Sequence, residues 1–353
     1  MPGLYRLLRP LLFRAPPETA HRLAIATLKS GLCPAGAQPL EPPLQVKLYG
    51  LTFPNPLGVA AGFDKDIEAP DALLRLGFGF VEVGSITPLP QPGNPKPRLF
   101  RLEADCALIN RLGFNSAGHA SAVSRLRSRA GRPGIIGVNI GANKESSDRV
   151  ADYVKGLSCF NDIASYIAIN ISSPNTPGLR GLQSKAELRH LLERIGEARS
   201  EFHRPKPLLL KIAPDLSDAE LDDIAGLSIA HSIDGVIVSN TTVSRPALKS
   251  PRASEPGGLS GAPLFELSTR KLARLYQLTS GRLPLIGVGG VSSAETAWQK
   301  LRAGASLIQL YSALVYEGPS LARTICAGLA ERLAASAKKS ISEITGTGVS
   351  DWL

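Results

Sequence analysis

Eight short, apolar, β-branched runs alternate with segments of helical periodicity, and this alternation constrains the fold more than any other feature. The runs are Pro56–Ala61, Gly79–Val83, Gly134–Ile140, Tyr166–Ile171, Pro207–Ile212, Gly235–Val238, Leu283–Val288 and Ser306–Leu310. Strands that alternate with helices pair in parallel through right-handed crossovers, so eight such units predict an α/β fold of the (β/α)8 TIM barrel type. A doubly wound sheet is the alternative, but no G-x-G-x-x-G sequence follows the first run.

The first forty residues differ from this pattern and predict a small amino-terminal helical extension. A stripe of leucines recurs at the spacing of an amphipathic helix, at Leu4, Leu7, Leu8, Leu11 and Leu12. Pro10 is expected to kink or split that helix. A second helical pattern starts near Glu18, and the proline-rich stretch 34–43 is expected to be a linker. The pair of helices is expected either to pack on the barrel or to lie on a membrane surface.

Composition narrows the class of protein. With 43% hydrophobic and 20% charged residues among 353, the chain is globular. Its four cysteines show no C-x-x-C spacing, so neither a disulfide framework nor a metal site is expected. No apolar run is long enough to span a membrane, and early arginines argue against a signal peptide. The net charge of +10 is compatible with binding to nucleic acid or to an anionic membrane surface. However, the basic stretch 125–132 carries no aromatic residues, so no nucleic acid is expected.

Polar residues follow the runs where a barrel builds its active site. The junctions read AGFDK (61–65), GSIT (84–87), NIGANK (139–144), NISSPNT (170–176), KIAPD (211–215), SNTT (239–242), GVGG (287–290) and YSAL (311–314). GVGG suits either a tight turn or a phosphate site. Lys65 and Lys211 either extend to water or converge on an electron-rich ring or a carboxylate. None of the five histidines follows a strand, which leaves Ser173 as the best-placed base, although the spacing alone favours a turn-forming serine.

Longer motifs carry a specific resemblance. AAGFDK, QPGNPKPRLFR, NRLGFNS, NISSPNTPGLR, KIAPDL, SNTTVSRP, GGLSGAPL and IGVGGV occur in this order. Together they resemble dihydroorotate dehydrogenase, from about residue 44 to 330 and more weakly before it. This family has an FMN-containing barrel that oxidises dihydroorotate to orotate in pyrimidine biosynthesis. The helical extension, and a serine at Ser173 where the soluble class has cysteine, resemble the quinone-reducing, membrane-associated class.

The resemblance implies roles for individual residues. Ser173 would be the catalytic base that removes a proton from C5 while hydride leaves C6. FMN would contact Ala61, Gly62, Phe63, Asp64, Lys65, Ser85, Asn139, Asn170, Lys211, Ser239, Gly261, Gly290, Tyr311 and Ser312. The family often has threonine at Ser85 and Ser239, and either hydroxyl can donate the same hydrogen bond. The substrate would contact Lys65, Asn110, Arg111, Leu112, Gly113, Phe114, Asn170, Asn175, Asn240 and Thr241. A quinone path would pass His21, Arg101 and Tyr311.

The resemblance also implies an organisation and a location. Residues 1–43 would form the extension, 44–338 the catalytic barrel and 339–353 a tail. The protein would be a peripheral enzyme on the cytoplasmic side of a bacterial cell membrane and a monomer, with FMN and no metal. Three alternatives remain open: a flavin barrel that reduces fumarate or NAD, a flavin-free phosphate-binding barrel, and a membrane-binding module without activity.

Overall fold

A computed structural model describes residues 2–31 and 42–353, and its centre is a closed barrel of eight parallel strands. In chain order the barrel strands are Leu57–Val59, Phe80–Ile86, Ile135–Ile140, Tyr166–Asn170, Leu208–Ile212, Gly235–Val238, Leu285–Val288 and Ala305–Leu310. Each strand pairs with its neighbours in sequence, and the eighth pairs with the first. The predicted (β/α)8 barrel is therefore confirmed, and the strand ends with their polar residues share one face.

Helices surround the barrel. They are Pro70–Arg75, Gly118–Arg127, Arg149–Phe160, Lys185–Ser200, Asp218–Ala230, Phe265–Leu278, Ala294–Arg302, Ser312–Glu317 and Leu321–Ala334. Six short 3-10 helices complete the described helical structure, at Pro42–Leu44, Glu103–Asp105, Leu179–Gln183, Ala262–Leu264, Ile341–Ile344 and Val349–Trp352. Within residues 339–353, Ile341 is buried and the Trp352 ring packs edge-on against Phe265, so this segment covers part of the barrel.

Two small sheets lie outside the barrel. Val46–Leu48 and Leu51–Phe53 form an antiparallel hairpin before the first barrel strand. Leu99–Leu102, Ala107–Asn110 and Gly258–Gly261 form a three-stranded antiparallel sheet with its own small apolar core. The third of these strands comes from the loop after the sixth barrel strand, so this sheet joins two distant loops on the face where the barrel strands end.

Large rings fill the lower part of the barrel interior. Phe80 and Tyr166 are fully buried, and a Cβ atom added at Gly137 would lie 2.0 Å from Cζ of Tyr166. Glycine at position 137 therefore makes room for the ring, in keeping with the dense packing of protein interiors. The space above these rings is lined by polar side chains.

The amino-terminal extension contains two helices, Pro2–Arg14 and Pro17–Lys29. The first helix continues through Pro10, so the loss of one helical hydrogen bond there does not split it. Residues 34–41 of the predicted linker lie outside the described residues, and its last two residues, 42 and 43, begin the 3-10 helix Pro42–Leu44. No helix within the described ranges is both long and apolar enough to cross a bilayer.

Candidate active site

A cavity of about 310 Å³ opens where the barrel strands end, between the barrel and the three-stranded sheet. Pockets that hold small molecules and cofactors have volumes of this order and combine apolar walls with a few polar groups. The predicted base Ser173 lines this cavity. Strand-end residues that are more than 200 positions apart in sequence meet here, because parallel strands present all their carboxyl ends to the same side.

Most of the predicted cofactor residues line the same cavity. They are Ala61, Gly62, Lys65, Ser85, Asn170, Lys211, Ser239, Gly261, Gly290, Tyr311 and Ser312. Three others lie beside it: Asn139 is buried beneath Ser85, Phe63 packs against Tyr311, and Asp64 accepts hydrogen bonds from the backbone of Glu68 and Ala69. Asp64 thus shapes the loop that carries Lys65.

The predicted substrate residues also come together. Those lining the cavity are Lys65, Asn110, Leu112, Gly113, Phe114, Asn170, Asn175, Asn240 and Thr241. Asn175 donates a hydrogen bond of 3.2 Å to Asn110, which joins the loop after the fourth barrel strand to the small sheet. Arg111 instead points to the outside, where it pairs with Glu255 at 2.8 Å.

A network of amides and hydroxyls forms one wall. Asn170 donates to Ser85 at 2.8 Å and to Asn139 at 3.2 Å, and Ser85 donates a short hydrogen bond to Asn139. Asn240 donates to the amide oxygen of Asn170 at 3.2 Å and to Ser172 at 3.0 Å. Each carboxamide is held by others, so its remaining donors and acceptors have defined directions before any ligand binds.

The floor of the cavity contains an acidic residue that the sequence argument missed. Glu82 is fully buried and accepts hydrogen bonds from Asn139 at 2.9 Å, Tyr166 at 3.0 Å and Gln309 at 2.8 Å. Lys211 Nζ lies 3.9 Å from the same carboxylate. Against the effect of burial, the proximity of Glu82 raises the pKa of Lys211. The single acid inside the apolar run FVEVGSI was the signal that could have revealed it.

Two lysines give the cavity its positive charge. Burial is the main cause that lowers the pKa of Lys65 to about 8, and the charges of Arg98 and Lys211 act in the same direction. Burial also lowers the pKa of Lys211, against the opposing effect of Glu82. Both amines therefore titrate more easily than a surface lysine and respond strongly to an anion placed near them. Of the two alternatives for Lys65 and Lys211, the structure therefore favours convergence on one cavity over extension to water.

The predicted base has few interactions of its own. Ser173 is buried, and among the described residues its Oγ accepts one hydrogen bond, from the backbone N–H of Asn175 at 3.3 Å. The buried hydroxyl of Thr241 has no hydrogen-bond partner within residues 2–31 and 42–353. A buried hydroxyl without a partner is costly, so Thr241 is expected to bind a ligand or water in this cavity.

An aromatic group links the cavity to the amino-terminal helices. The ring centroid of His21 lies 5.2 Å from that of Phe63 and 6.3 Å from that of Tyr311, and Tyr311 lines the cavity. Burial, with a further contribution from the charge of Lys65, lowers the pKa of His21 to about 4, so its ring is neutral near pH 7. His21 and Tyr311, two of the three predicted quinone-path residues, are thus neighbours in the structure.

Arg101, the third of these residues, fastens the first helix to the small sheet. Its guanidinium donates to the carbonyl oxygens of Phe13 at 2.8 Å and Ala15 at 2.5 Å, and lies 4.6 Å from the Phe13 ring centroid. Arg98 holds the second helix through Glu18, at 2.8 Å. These contacts attach both helices beside the cavity.

The lining of the cavity suits a flavin mononucleotide. Gly289 and Gly290, with φ of +110° and +74°, form a turn at its edge, where backbone N–H groups can approach a phosphate. Lys211 offers a charged donor to a polar ring system, and Ser85 and Asn170 place further polar atoms on the cavity wall. Among the described residues, no group of three or more histidine, cysteine, aspartate or glutamate side chains could hold a metal ion.

Comparisons with known proteins agree with this geometry. A family model described as dihydroorotate dehydrogenase matches residues 43–333. Proteins named dihydroorotate dehydrogenase (quinone) from Parvibaculum lavamentivorans and Mesorhizobium japonicum are both 56% identical, covering 98% and 100% of this chain and 99% and 98% of their own lengths. A crystal structure of DHODH from Eimeria tenella in complex with ferulenol is similar, with a TM-score of 0.91 and 38% identity over 95% of this chain and 98% of that one.

Proposed function

This chain belongs to the dihydroorotate dehydrogenase family and oxidises dihydroorotate to orotate with a quinone as acceptor, and from that premise we propose how its residues do so. The family is flavin-dependent, and we assign FMN as the flavin of this chain. The observation that carries the assignment is the convergence of Lys211, Ser85, Asn170 and the Gly289–Gly290 turn on one cavity. When bound, FMN would supply the acceptor for the hydride from C6 of the substrate and the route for its electrons to quinone.

The chain's own residues would bind and deprotonate the substrate. Lys65 would pair with the substrate carboxylate, and Asn110, Asn175 and Asn240 would hold the ring, since each carboxamide offers both a donor and an acceptor to a cyclic diamide. Their mutual hydrogen bonds fix them beforehand, so little rotamer entropy is lost on binding.

Ser173 would remove the proton from C5. Serine is a weak base at its ordinary pKa, so the proton must pass onward to water or to another group as it leaves the substrate. Two observations support this role. Ser173 is buried at the cavity wall, and within the described part of the chain its Oγ accepts only one long hydrogen bond, so a lone pair of the hydroxyl oxygen stays available. Lys211 would offset negative charge that develops beside it, and Glu82 would hold Lys211 in place.

The amino-terminal extension, residues 1–43, would meet the membrane and admit the quinone. Leu7, Leu8 and Leu11 are 78%, 46% and 63% exposed, so this part of the leucine stripe faces outward. An exposed apolar helix face with flanking arginines suits the surface of an anionic bilayer. His21 and Tyr311 would line the path from this surface to the cavity. We therefore propose a peripheral enzyme on the cytoplasmic side of the cell membrane.

Two further assignments complete the proposal. Residues 44–338 would be the catalytic barrel and residues 339–353 a tail that packs on it. The active unit would be a monomer.

Flavin content and vesicle binding test this proposal. The purified chain should carry one FMN per chain, identified by chromatography after denaturation. Replacing Leu7 and Leu11 together by glutamate should abolish binding to vesicles that contain anionic lipid, because two charges then face the hydrocarbon boundary. The control is Leu353→Glu, which adds a charge at a position that is 57% exposed at the opposite terminus. Unchanged vesicle binding by the double variant would refute the membrane assignment.

A further inference from the structure

Lys300 is a buried lysine that the proposed chemistry does not use. It lies in the helix Ala294–Arg302, which follows the seventh barrel strand, and it is fully buried. Its Nζ donates a hydrogen bond of 2.6 Å to Ser268 Oγ and lies 5.2 Å from the ring centroid of Phe265. Within the described ranges it forms no ion pair with a carboxylate, and burial lowers its pKa well below the ordinary value.

A buried ammonium group without a counter-ion destabilises the folded protein. Transfer of an ammonium group to a protein interior costs several kcal/mol unless an opposite charge compensates it. A methionine or leucine would fill the same space without that cost. A lysine at position 300 therefore has two possible explanations: its charge is compensated by an anion that the protein chain itself does not provide, or the amine is neutral and has a purely structural role.

The side chain ends behind the glycine turn. A Cβ atom added at Gly287 would lie 3.3 Å from Cδ of Lys300, so the lysine runs along the back of the seventh strand. The hydroxyl of Ser268, its hydrogen-bond partner, lies 2.8 Å from the carbonyl oxygen of Leu264, 3.1 Å from that of Phe265 and 3.2 Å from that of Gly289, so it contacts the turn. Gly289 and Gly290 line the cavity, whereas Lys300 and Ser268 are absent from its lining. The ammonium thus lies one hydroxyl group away from the turn, on the side opposite the cavity.

We propose that Lys300 binds the flavin phosphate through space: its ammonium charge neutralises the phosphate dianion held on the far side of the Gly289–Gly290 turn. The inference rests on the proposed function, because it needs a phosphate at that turn. Few solvent molecules separate the two charges, since Ser268, Phe265 and Lys300 are all packed behind the turn. For one negative charge of the phosphate, attraction over roughly 6–10 Å at an effective dielectric constant of about 20 changes a binding constant by on the order of ten- to a hundredfold, which is a lower bound for the dianion.

Two flavins that differ only in the phosphate separate the charge effect from a structural one. The full chain, freed of flavin, is titrated with FMN and with riboflavin, and the ratio of the two dissociation constants is measured. In Lys300→Met, FMN should bind about ten- to a hundredfold more weakly, while riboflavin binds within about twofold of wild type. Lys300→Gln, which can still bind Ser268, should give the same loss of selectivity. Ser268→Ala is the matched control, since it keeps the charge and should keep the selectivity.

The outcomes are distinct. Equal weakening of both flavins by Lys300→Met and Lys300→Gln would assign Lys300 a structural role and overturn the inference, as would no weakening of either. The ratio is measured on folded, soluble protein, so partial unfolding reduces the number of binding sites and leaves the ratio unchanged. A wild-type chain that binds neither flavin would overturn the proposed function, and this inference with it. Normal wild-type binding with unchanged selectivity in the variants would overturn this inference alone.

Discussion

Replacing Ser173 by alanine separates a chemical role from a structural one. In the described structure the side chain accepts one hydrogen bond, at 3.3 Å from the N–H of Asn175. Loss of a single hydrogen bond lowers the free energy of unfolding by about 0.5–1.5 kcal/mol. Loss of a general base instead slows the reaction by about 10²–10⁴-fold, which corresponds to about 2.7–5.5 kcal/mol in the activation barrier. The expected loss in rate therefore far exceeds any effect on stability.

Anaerobic stopped flow measures this step directly, because flavin absorbance falls as dihydroorotate is oxidised. Ser173→Ala should bind orotate within a fewfold of wild type and reduce its flavin about 10²–10⁴ times more slowly. Ser173→Cys should recover part of the rate, with an increase toward higher pH as the thiol, with an ordinary pKa of about 8.5, ionises. Ser228→Ala is the control, since it removes another fully buried hydroxyl on the helix Asp218–Ala230. Flavin reduction near the wild-type rate in Ser173→Ala would refute the assignment of the base.

Three further predictions concern charge and the extension. Lys211→Met should lower the flavin reduction potential and, because it leaves Glu82 without its ion-pair partner, cost about 3–5 kcal/mol of stability. Adding Glu82→Gln should restore the stability but not the wild-type potential. An unaltered potential in Lys211→Met would contradict its role. Because the pKa of Lys65 is lowered to about 8, its charge is present below that pH and lost above it. The KM for dihydroorotate should therefore rise above about pH 8, later in Lys65→Arg, and a KM independent of pH up to 10 would contradict the pairing. Deletion of residues 1–39 should cripple reoxidation by a long-tailed quinone and spare flavin reduction, whereas full quinone turnover would exclude the tunnel.

Much of the barrel could be predicted because its signals are local. The helix Asp218–Ala230 begins at a capping box in which Ser217 and Glu220 bond to each other's backbone, a signal that four neighbouring residues carry. The sixth strand, Gly235–Val238, matches its predicted run, since it is a short apolar run that ends at polar residues. The resemblance to the family is confirmed by the comparisons.

Other elements depend on contacts between distant residues. The strand Gly258–Gly261 pairs with Ala107–Asn110 about 150 positions earlier, and no local pattern marks that pairing. The helix Arg149–Phe160, in contrast, carries local signals: it begins at an Asp148 cap, and Val150, Tyr153 and Leu157 recur at helical spacing on its buried face.

Some residues of the candidate site could likewise be predicted from the sequence, and others could not. Its lining residues stand at strand ends, a position that the sequence reveals. Glu82 lies within an apolar run and Lys300 on an amphipathic helix, and neither position reveals its neighbours. The fold places donors around the carboxylate of Glu82 and a glycine turn near the ammonium of Lys300. Neither set of neighbours is adjacent in sequence, so only the structure reveals them.

The central claim is that one cavity carries two half-reactions in succession, and anaerobic spectroscopy of the holoenzyme tests it most directly. Addition of dihydroorotate without quinone should bleach the flavin absorbance and release one orotate per chain. Addition of quinone without oxygen should then restore the absorbance in full. Flavin that stays oxidised with dihydroorotate, or that bleaches but recovers with fumarate or NAD and not with quinone, would contradict the account.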